Sequence, residues 1–176
     1  MTSRISLFGL AIALAFTAAC GDDSPTTPTA VDPKFTAALN AANEAPPVTN
    51  ADATATGTAT ITFHLTKDAA GNITAATADF VAPVQGFPAG TTITAAHIHT
   101  GAAGVGGGVL WGTGVVAGDV PLTNGAGTLS KSAVSFTGAD ISQVQAIINN
   151  PAGFYFNIHT SLNTGGAIRG QLVKVQ

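Results

Sequence analysis

The strongest constraint on the fold is a strict alternation of residue types between positions 53 and 66, which read ATATGTATITFHLT. Odd positions carry alanine, glycine or larger apolar residues, and even positions carry threonine except for His64. A period of two over this length predicts an antiparallel β-strand with one buried and one solvated face. His64 is therefore expected to be solvated. The segment KDAAGN at 67–72 predicts a hairpin turn into a second strand at 73–80.

Short apolar segments separated by Gly-, Pro- and Asn-rich turns continue this pattern. We predict further strands at 35–39, 92–99, 109–116, 128–136, 153–160 and 167–175. The stretch DISQVQAIIN at 140–149 instead spaces its apolar residues as a helix does, with Asp140 as its expected cap and NPAG after it. The sequence therefore predicts an all-β, antiparallel, immunoglobulin-like or Greek-key sandwich or barrel with one short helix at about 140–149.

The first residues have the pattern of a secretory signal. Arg4 precedes an apolar run at 5–16 that is too short to span a bilayer, and the small residues TAA lead directly to Cys20. We predict a signal peptide at 1–19, and the arrangement resembles a bacterial lipoprotein signal in which Cys20 is acylated. Thr17 stands where that signal favours leucine, and ordinary signal cleavage is the alternative. Residues 20–33 predict the lipidated cysteine and a flexible Pro/Thr linker, so the protein is expected at the cell envelope, lipid-anchored to a membrane and facing outside the cytoplasm.

Composition limits the remaining functions. Cys20 is the only cysteine, so no disulfide can form within the domain that follows. Charged residues make up 9% of the chain and the net charge is −3, which argues against a nucleic-acid partner. The glycine-rich segment 101–114 lacks the Gly-Lys-Ser/Thr ending of a phosphate loop, and no catalytic triad or Gly-x-Ser-x-Gly motif is found. Trp111, within that segment, is expected in the core, with a binding aromatic as the alternative. The chain is not expected to be an enzyme.

Three segments together resemble one known family. LNAANEAPPV at 39–48, AAHIHTG at 95–101 and GFYFNIHTSLNTGGAIRGQL at 153–172 are similar to motifs of the CHRD domain, named after chordin. The resemblance covers residues 34–176 and implies an immunoglobulin-like β-barrel of extracellular proteins. Ala167 stands where the family usually has an acidic residue. The resemblance implies a fold and a location but no reaction. It is compatible with a non-enzymatic binding or structural role at the cell envelope, with an extracellular protein or glycan as partner.

Three of the four histidines lie in two Ile-His-Thr segments. His97 and His99 project from the same side of one predicted strand, and His159 lies on another. If the strands are neighbours, the three imidazoles converge and could bind Zn²⁺ or Cu²⁺. The favoured interpretation is that they hold loop backbone in place, a metal or small-ligand site is the alternative, and acid–base catalysis ranks last. A metal-binding domain is therefore the alternative to a binding or structural role without a cofactor.

The last candidate pair is Glu44 and Arg169. Glu44 is the only glutamate of the chain, and Arg169 is its only arginine apart from Arg4. Lone charges in a charge-poor domain are expected either to pair or to serve a ligand. We predict a partly buried salt bridge that ties the first strand region to the last. The alternative is that Arg169 holds the carboxylate of a ligand.

Overall fold

A computed structural model describes residues 31–176. The predicted signal peptide, Cys20 and most of the predicted linker lie outside these residues. The described part contains nine strands and one α-helix: β1 Lys34–Asn40, β2 Thr56–Lys67, β3 Ile73–Gln85, β4 Ile93–Thr100, β5 Val109–Gly112, β6 Gly127–Phe136, α1 Asp140–Asn149, β7 Phe154–Thr160, β8 Ile168–Gln171 and β9 Val173–Lys174. No helix within 31–176 has both the length and the apolar character that crossing a bilayer requires.

All strand pairs are antiparallel and belong to one sheet. Its order is β5-β4-β7-β8-β1-β2-β3-β6, with the short β9 pairing β1. The sheet curls into a half-barrel, which confirms the prediction of an all-β fold with a single short helix. The strands are hydrogen-bonded as one continuous sheet rather than as two separate sheets. This order brings β4 and β7, the two strands with the Ile-His-Thr segments, side by side.

The core fills the concave side of the sheet. On β2 the odd positions point inward, and Ala59, Ile61 and Phe63 are at most 1% exposed. His64 lies on the opposite face and is exposed, as predicted. Aromatic rings then join distant strands, since the ring of Phe63 packs edge-on against that of Phe136 at 5.5 Å between centroids. Burying these rings contributes to the stability of the fold.

Trp111 connects the two ends of the sheet. It lies on β5, the strand at one edge, and its ring stacks on Phe136 of β6, the strand at the other edge, at 4.2 Å between centroids. Trp111 is half-buried and packs against the core. It therefore belongs to the packing that closes the curled sheet, in agreement with its expected core position.

Several predicted boundaries were wrong for local reasons. Residues 53–55 do not extend β2, because Ala51–Thr54 form a 3₁₀ turn that the Asn50 side chain caps by accepting from the Asp52 N–H. The strand predicted at 109–116 ends at Gly112. The strand predicted at 167–175 is broken into β8 and β9. The helix occupies 140–149 as predicted, but its N-cap is Ala139, and Asp140 lies in the first turn.

Candidate functional site

The pairing of β4 with β7 places three histidines on one face of the sheet. His97 lies opposite Asn157, and His99 lies opposite Tyr155, while His159 lies opposite Ala95. Residues directly opposite each other, and every second residue along a strand, share a face. All three imidazoles therefore project away from the core, on the convex side, as the alternation on both strands predicted.

The three imidazoles form a compact cluster. One ring nitrogen from each of His97, His99 and His159 can be chosen so that all three atoms lie within 4.8 Å of one another. The closest approach is 3.0 Å, between Nδ1 of His97 and Nε2 of His159. His99 and His159 are each only 6% exposed. The expected convergence of these residues is thus present in the structure, and we call them the histidine cluster.

Backbone carbonyls fix the protonation of two rings. His99 Nδ1 lies 3.1 Å from the Gly107 carbonyl, and His159 Nδ1 lies 3.0 Å from the Thr164 carbonyl. Because a carbonyl only accepts, each Nδ1 carries the proton and each Nε2 is left with its lone pair. His159 Nε2 then accepts from His97 Nδ1. His99 Nε2 is buried and has no hydrogen-bond partner.

Burial keeps the cluster uncharged. Burial, with smaller contributions from the neighbouring His159 and His99, lowers the pKa of His97 from 6.5 to about 4. Burial likewise lowers the pKa of His99 and that of His159, against the opposing effect of their bonds to the carbonyls. At neutral pH all three rings are therefore neutral imidazoles.

The carbonyl of Gly107 belongs to the loop that follows β4. A Cβ atom built on Gly107 would lie 1.6 Å from the Thr100 carbonyl oxygen, so only glycine allows this close approach of the backbone. The Tyr155 hydroxyl holds the same residue, since it accepts from the Gly107 N–H at 3.2 Å. The glycine-rich segment thus forms a tight connection and presents the acceptor that orients His99.

The carbonyl of Thr164 belongs to the loop between β7 and β8. Asp52, which is fully buried, accepts through one carboxylate oxygen from the Thr160 hydroxyl at 2.7 Å and from the Asn163 amide at 2.6 Å. Asn163 donates its own N–H to the Thr160 hydroxyl oxygen. This network holds the loop that orients His159. Sequence analysis missed Asp52, whose only sign was an acidic residue at the start of the alternating stretch.

Arg169 lies next to the cluster. It is only 1% exposed, and its guanidinium carbon lies 3.5 Å above the centroid of the Tyr155 ring. His99 stacks on the same ring at 4.9 Å between centroids, with the two planes 10° apart. The guanidinium donates to the Ala102 carbonyl at 3.1 Å. Its positive charge is close enough to contribute to the lowered pKa of His99.

Glu44 and Arg169 share this neighbourhood, but the predicted direct salt bridge is not formed. Among residues 31–176 the ion pairs are His64 with Asp32 and with Asp79, and Lys131 with Asp119. The guanidinium is instead occupied by the Tyr155 ring and the Ala102 carbonyl. Burial raises the pKa of Glu44 from 4.5 to about 7, and the charge of Arg169 lowers it only in part. The charges of Glu44 and Arg169 therefore influence each other although the two side chains form no ion pair.

The loop ahead of β8 also packs closely on Glu44. Gly166 has a φ of +138°, and a Cβ there would lie 2.9 Å from Glu44 Oε1 and 2.5 Å from Asn157 Nδ2. Glu44 Oε1 is buried without a hydrogen-bond partner. Glu44 also lines a groove of about 810 Å³ that borders on Pro46, Ala103 and Arg169. The three sequence motifs thus meet in one region of the surface.

His64 lies apart from the cluster. Its Nδ1 is 2.7 Å from Asp32 and its Nε2 is 3.1 Å from Asp79, and these exposed carboxylates raise its pKa. It therefore belongs to a surface ion pair on β2 and β3. Cys20, the predicted lipidation site, lies outside the described residues.

Comparison with known proteins gave one match. The model of the CHRD domain family matches residues 35–172. No curated protein and no solved structure matches the chain. The match spans β1 to Leu172, and therefore includes the histidine cluster, Glu44 and Arg169.

Proposed function

We propose, from the premise that this chain belongs to the CHRD domain family, that it is an extracytoplasmic domain that binds one Zn²⁺ or Cu²⁺ ion through His97, His99 and His159. The observation that carries this proposal is the buried Nε2 atom of His99. It holds a lone pair and has no hydrogen-bond partner, and its ring belongs to a group of three from which one nitrogen each can be chosen within 4.8 Å of one another.

A purely structural role explains this atom poorly. Leaving a buried acceptor without a partner costs about 1–3 kcal/mol. Nδ1 of His99 already binds the Gly107 carbonyl and so holds the loop in place. The unpaired lone pair on Nε2 adds nothing to that contact. A metal ion supplies the missing partner.

The distances between the ring nitrogens suit a small divalent ion such as Zn²⁺ or Cu²⁺. Zinc–imidazole bonds are about 2.0–2.1 Å long, so nitrogen ligands of one tetrahedral ion lie about 3.3–3.4 Å apart. The pair His97 and His159 stands at 3.0 Å, slightly closer than this. The ion would take the place of the proton between these two nitrogens, and His99 would complete the set after a small movement of its ring.

The surroundings of the rings also favour metal binding. Histidine ligands commonly donate their second ring N–H to a carbonyl or carboxylate, which fixes the ring orientation. Gly107 and Thr164 provide such carbonyls. Because the three pKa values are lowered, protons compete little with a metal ion at neutral pH.

The remaining parts of the proposal concern the setting of the domain. We place the protein at the cell envelope, attached to a membrane through an acylated Cys20, and assign it a binding role without catalysis. The pattern of residues 1–20 and the Pro/Thr-rich composition of 21–33 support the anchor. Its test is incorporation of a labelled fatty acid, which should occur in the natural chain and not in Cys20→Ala.

Metal binding is tested by calorimetric titration of the purified chain with Zn²⁺ and with Cu²⁺. We expect one site per chain, and a loss of affinity in His99→Ala that exceeds the about 10- to 100-fold cost of removing an outer partner of a ligand. His64→Ala is the matched control, since this histidine is remote from the cluster, and it should bind as the natural chain does. Equal binding by all three chains, or no heat for either ion, would refute the proposal.

A further inference from the structure

We infer that the histidine centre keeps one coordination position open for a small monoanion that comes from outside the chain. This rests on the proposed function, which supplies the ion. It goes further by naming the class of ligand that completes the site and the side from which it enters.

The first step is the number of protein ligands. Among the histidine, aspartate and glutamate residues of 31–176, only the three histidines gather around this point. Asn157, opposite His97 on β7, adds a buried amide oxygen without a hydrogen-bond partner, but amide oxygens suit Mg²⁺ and Ca²⁺ rather than Zn²⁺ or Cu²⁺. The nearby Tyr155 hydroxyl is committed to Gly107, whose N–H donates to it and whose carbonyl accepts from it. A zinc site with three protein ligands takes its fourth ligand from solvent or substrate, whereas a purely structural site is closed by four.

The second step is charge. Three neutral imidazoles leave the full 2+ charge of the ion uncompensated. The guanidinium of Arg169 adds a further positive charge, since it lies on the Tyr155 ring that also carries His99. Glu44 is the one carboxylate near Arg169 in this region, and burial disfavours its charged form. Such a site favours a monoanion over a neutral ligand, because its positive charge is partly buried.

The third step is access. His99 and His159 are buried, but His97 is only half-buried, so the cluster opens to solvent on the His97 side. Gly112 on β5 borders the Cδ2–Nε2 edge of the His97 ring, opposite the Nδ1 atom that would hold the ion, so it does not cover the open position.

The test uses the purified chain loaded with one equivalent of Cu²⁺ and then titrated with azide. Azide bound directly to Cu²⁺ gives a new ligand-to-metal charge-transfer absorption and changes the electron paramagnetic resonance spectrum. We expect both changes to saturate at one azide per copper. Copper uptake without any response to azide would overturn this inference and leave the proposed function standing. A chain that takes up no copper would overturn both.

One variant tests the charge of the site. Glu44→Gln removes a carboxylate that is charged at pH 8, since its pKa is about 7, and should shift the azide dissociation constant to a lower value at that pH. An azide affinity in Glu44→Gln equal to or weaker than that of the natural chain would contradict a site whose positive charge selects the monoanion.

Discussion

At the scale of single residues, the metal centre depends on which polar atoms are buried without partners. His99 Nε2 and Glu44 Oε1 are two such atoms among residues 31–176. One is an acceptor that a metal ion can satisfy. The other belongs to a carboxyl group whose pKa burial raises to about 7.

The raised pKa of Glu44 makes a prediction about stability. A carboxyl group whose pKa rises from 4.5 to about 7 on folding stabilises the fold fully below pH 4.5, and this contribution is lost as the pH rises through 7. Glu44→Gln keeps the shape of the neutral group at every pH. We therefore expect the variant to match the natural chain near pH 5 and to be more stable at pH 8, by roughly 1–3 kcal/mol.

Thermal or urea unfolding of both chains at the two pH values measures this difference. The histidines contribute equally to both chains, so their titration cancels in the comparison. If Glu44→Gln were the less stable chain at pH 8, the carboxylate would be paired with Arg169 after all, as sequence analysis had predicted.

The sequence pattern identified the three histidines but not which ring nitrogen of each carries the proton. The period of two along 95–99 and 155–159 was enough to place His97, His99 and His159 on outward faces. The carbonyls of Gly107 and Thr164 that fix their tautomers are backbone atoms of loops, and no side-chain pattern marks them. The failed prediction of a Glu44–Arg169 contact has the same cause, because the Ala102 carbonyl and the Tyr155 ring occupy the guanidinium.

At the scale of elements, the site depends on two loops that lie over the sheet. The loop after β7 is held by Asp52, which comes from the 3₁₀ turn before β2, more than a hundred residues earlier in the chain. The period of two in the sequence identified β2 but assigned residues 53–55 to the strand as well, because Ala53 and Ala55 continue the alternation. The turn forms because the Asn50 cap and the buried Asp52 bonds outweigh the strand pattern.

Asp52 is therefore expected to act as a positioning residue for His159. In Asp52→Ala the Thr160 hydroxyl and the Asn163 amide lose a buried acceptor, so the free energy of unfolding should fall by roughly 2–4 kcal/mol. The loop that presents the Thr164 carbonyl is released, and the affinity for Zn²⁺ should fall by about 10- to 100-fold.

Asp52→Asn is the control for this prediction, since its amide oxygen can still accept both bonds. It should keep most of the metal affinity that Asp52→Ala loses, as measured by calorimetry on the two folded variants. Equal zinc affinity in Asp52→Ala and the natural chain would show that the loop needs no anchor.

At the scale of the whole molecule, the fold is one antiparallel sheet whose two edges are brought together by packing. The alternation of residues predicted an all-β chain and most of its strands. It could not predict the strand order, because the neighbours of β4 are set by contacts across the core rather than by local pattern. The family match over 35–172 is consistent with a single domain of this kind.

The Trp111–Phe136 contact tests this closure. Trp111→Ala removes the stack between the two edge strands and should lower the free energy of unfolding by roughly 2–4 kcal/mol. Val109→Ala is a matched control on the same strand, because Val109 is 58% exposed and its truncation should cost less than about 0.5 kcal/mol. Urea unfolding followed by circular dichroism compares them, and equal stability of the two variants would mean that the stack does not hold the edges together.

X-ray absorption spectroscopy of the chain loaded with one equivalent of Zn²⁺ tests most directly whether the three histidines bind a metal ion. We expect nitrogen ligands at about 2.0–2.1 Å, with the outer-shell scattering of three imidazole rings. In His99→Ala the imidazole contribution should fall by one ring. A loaded ion surrounded by oxygen, without imidazole scattering, would contradict a metal centre built from His97, His99 and His159.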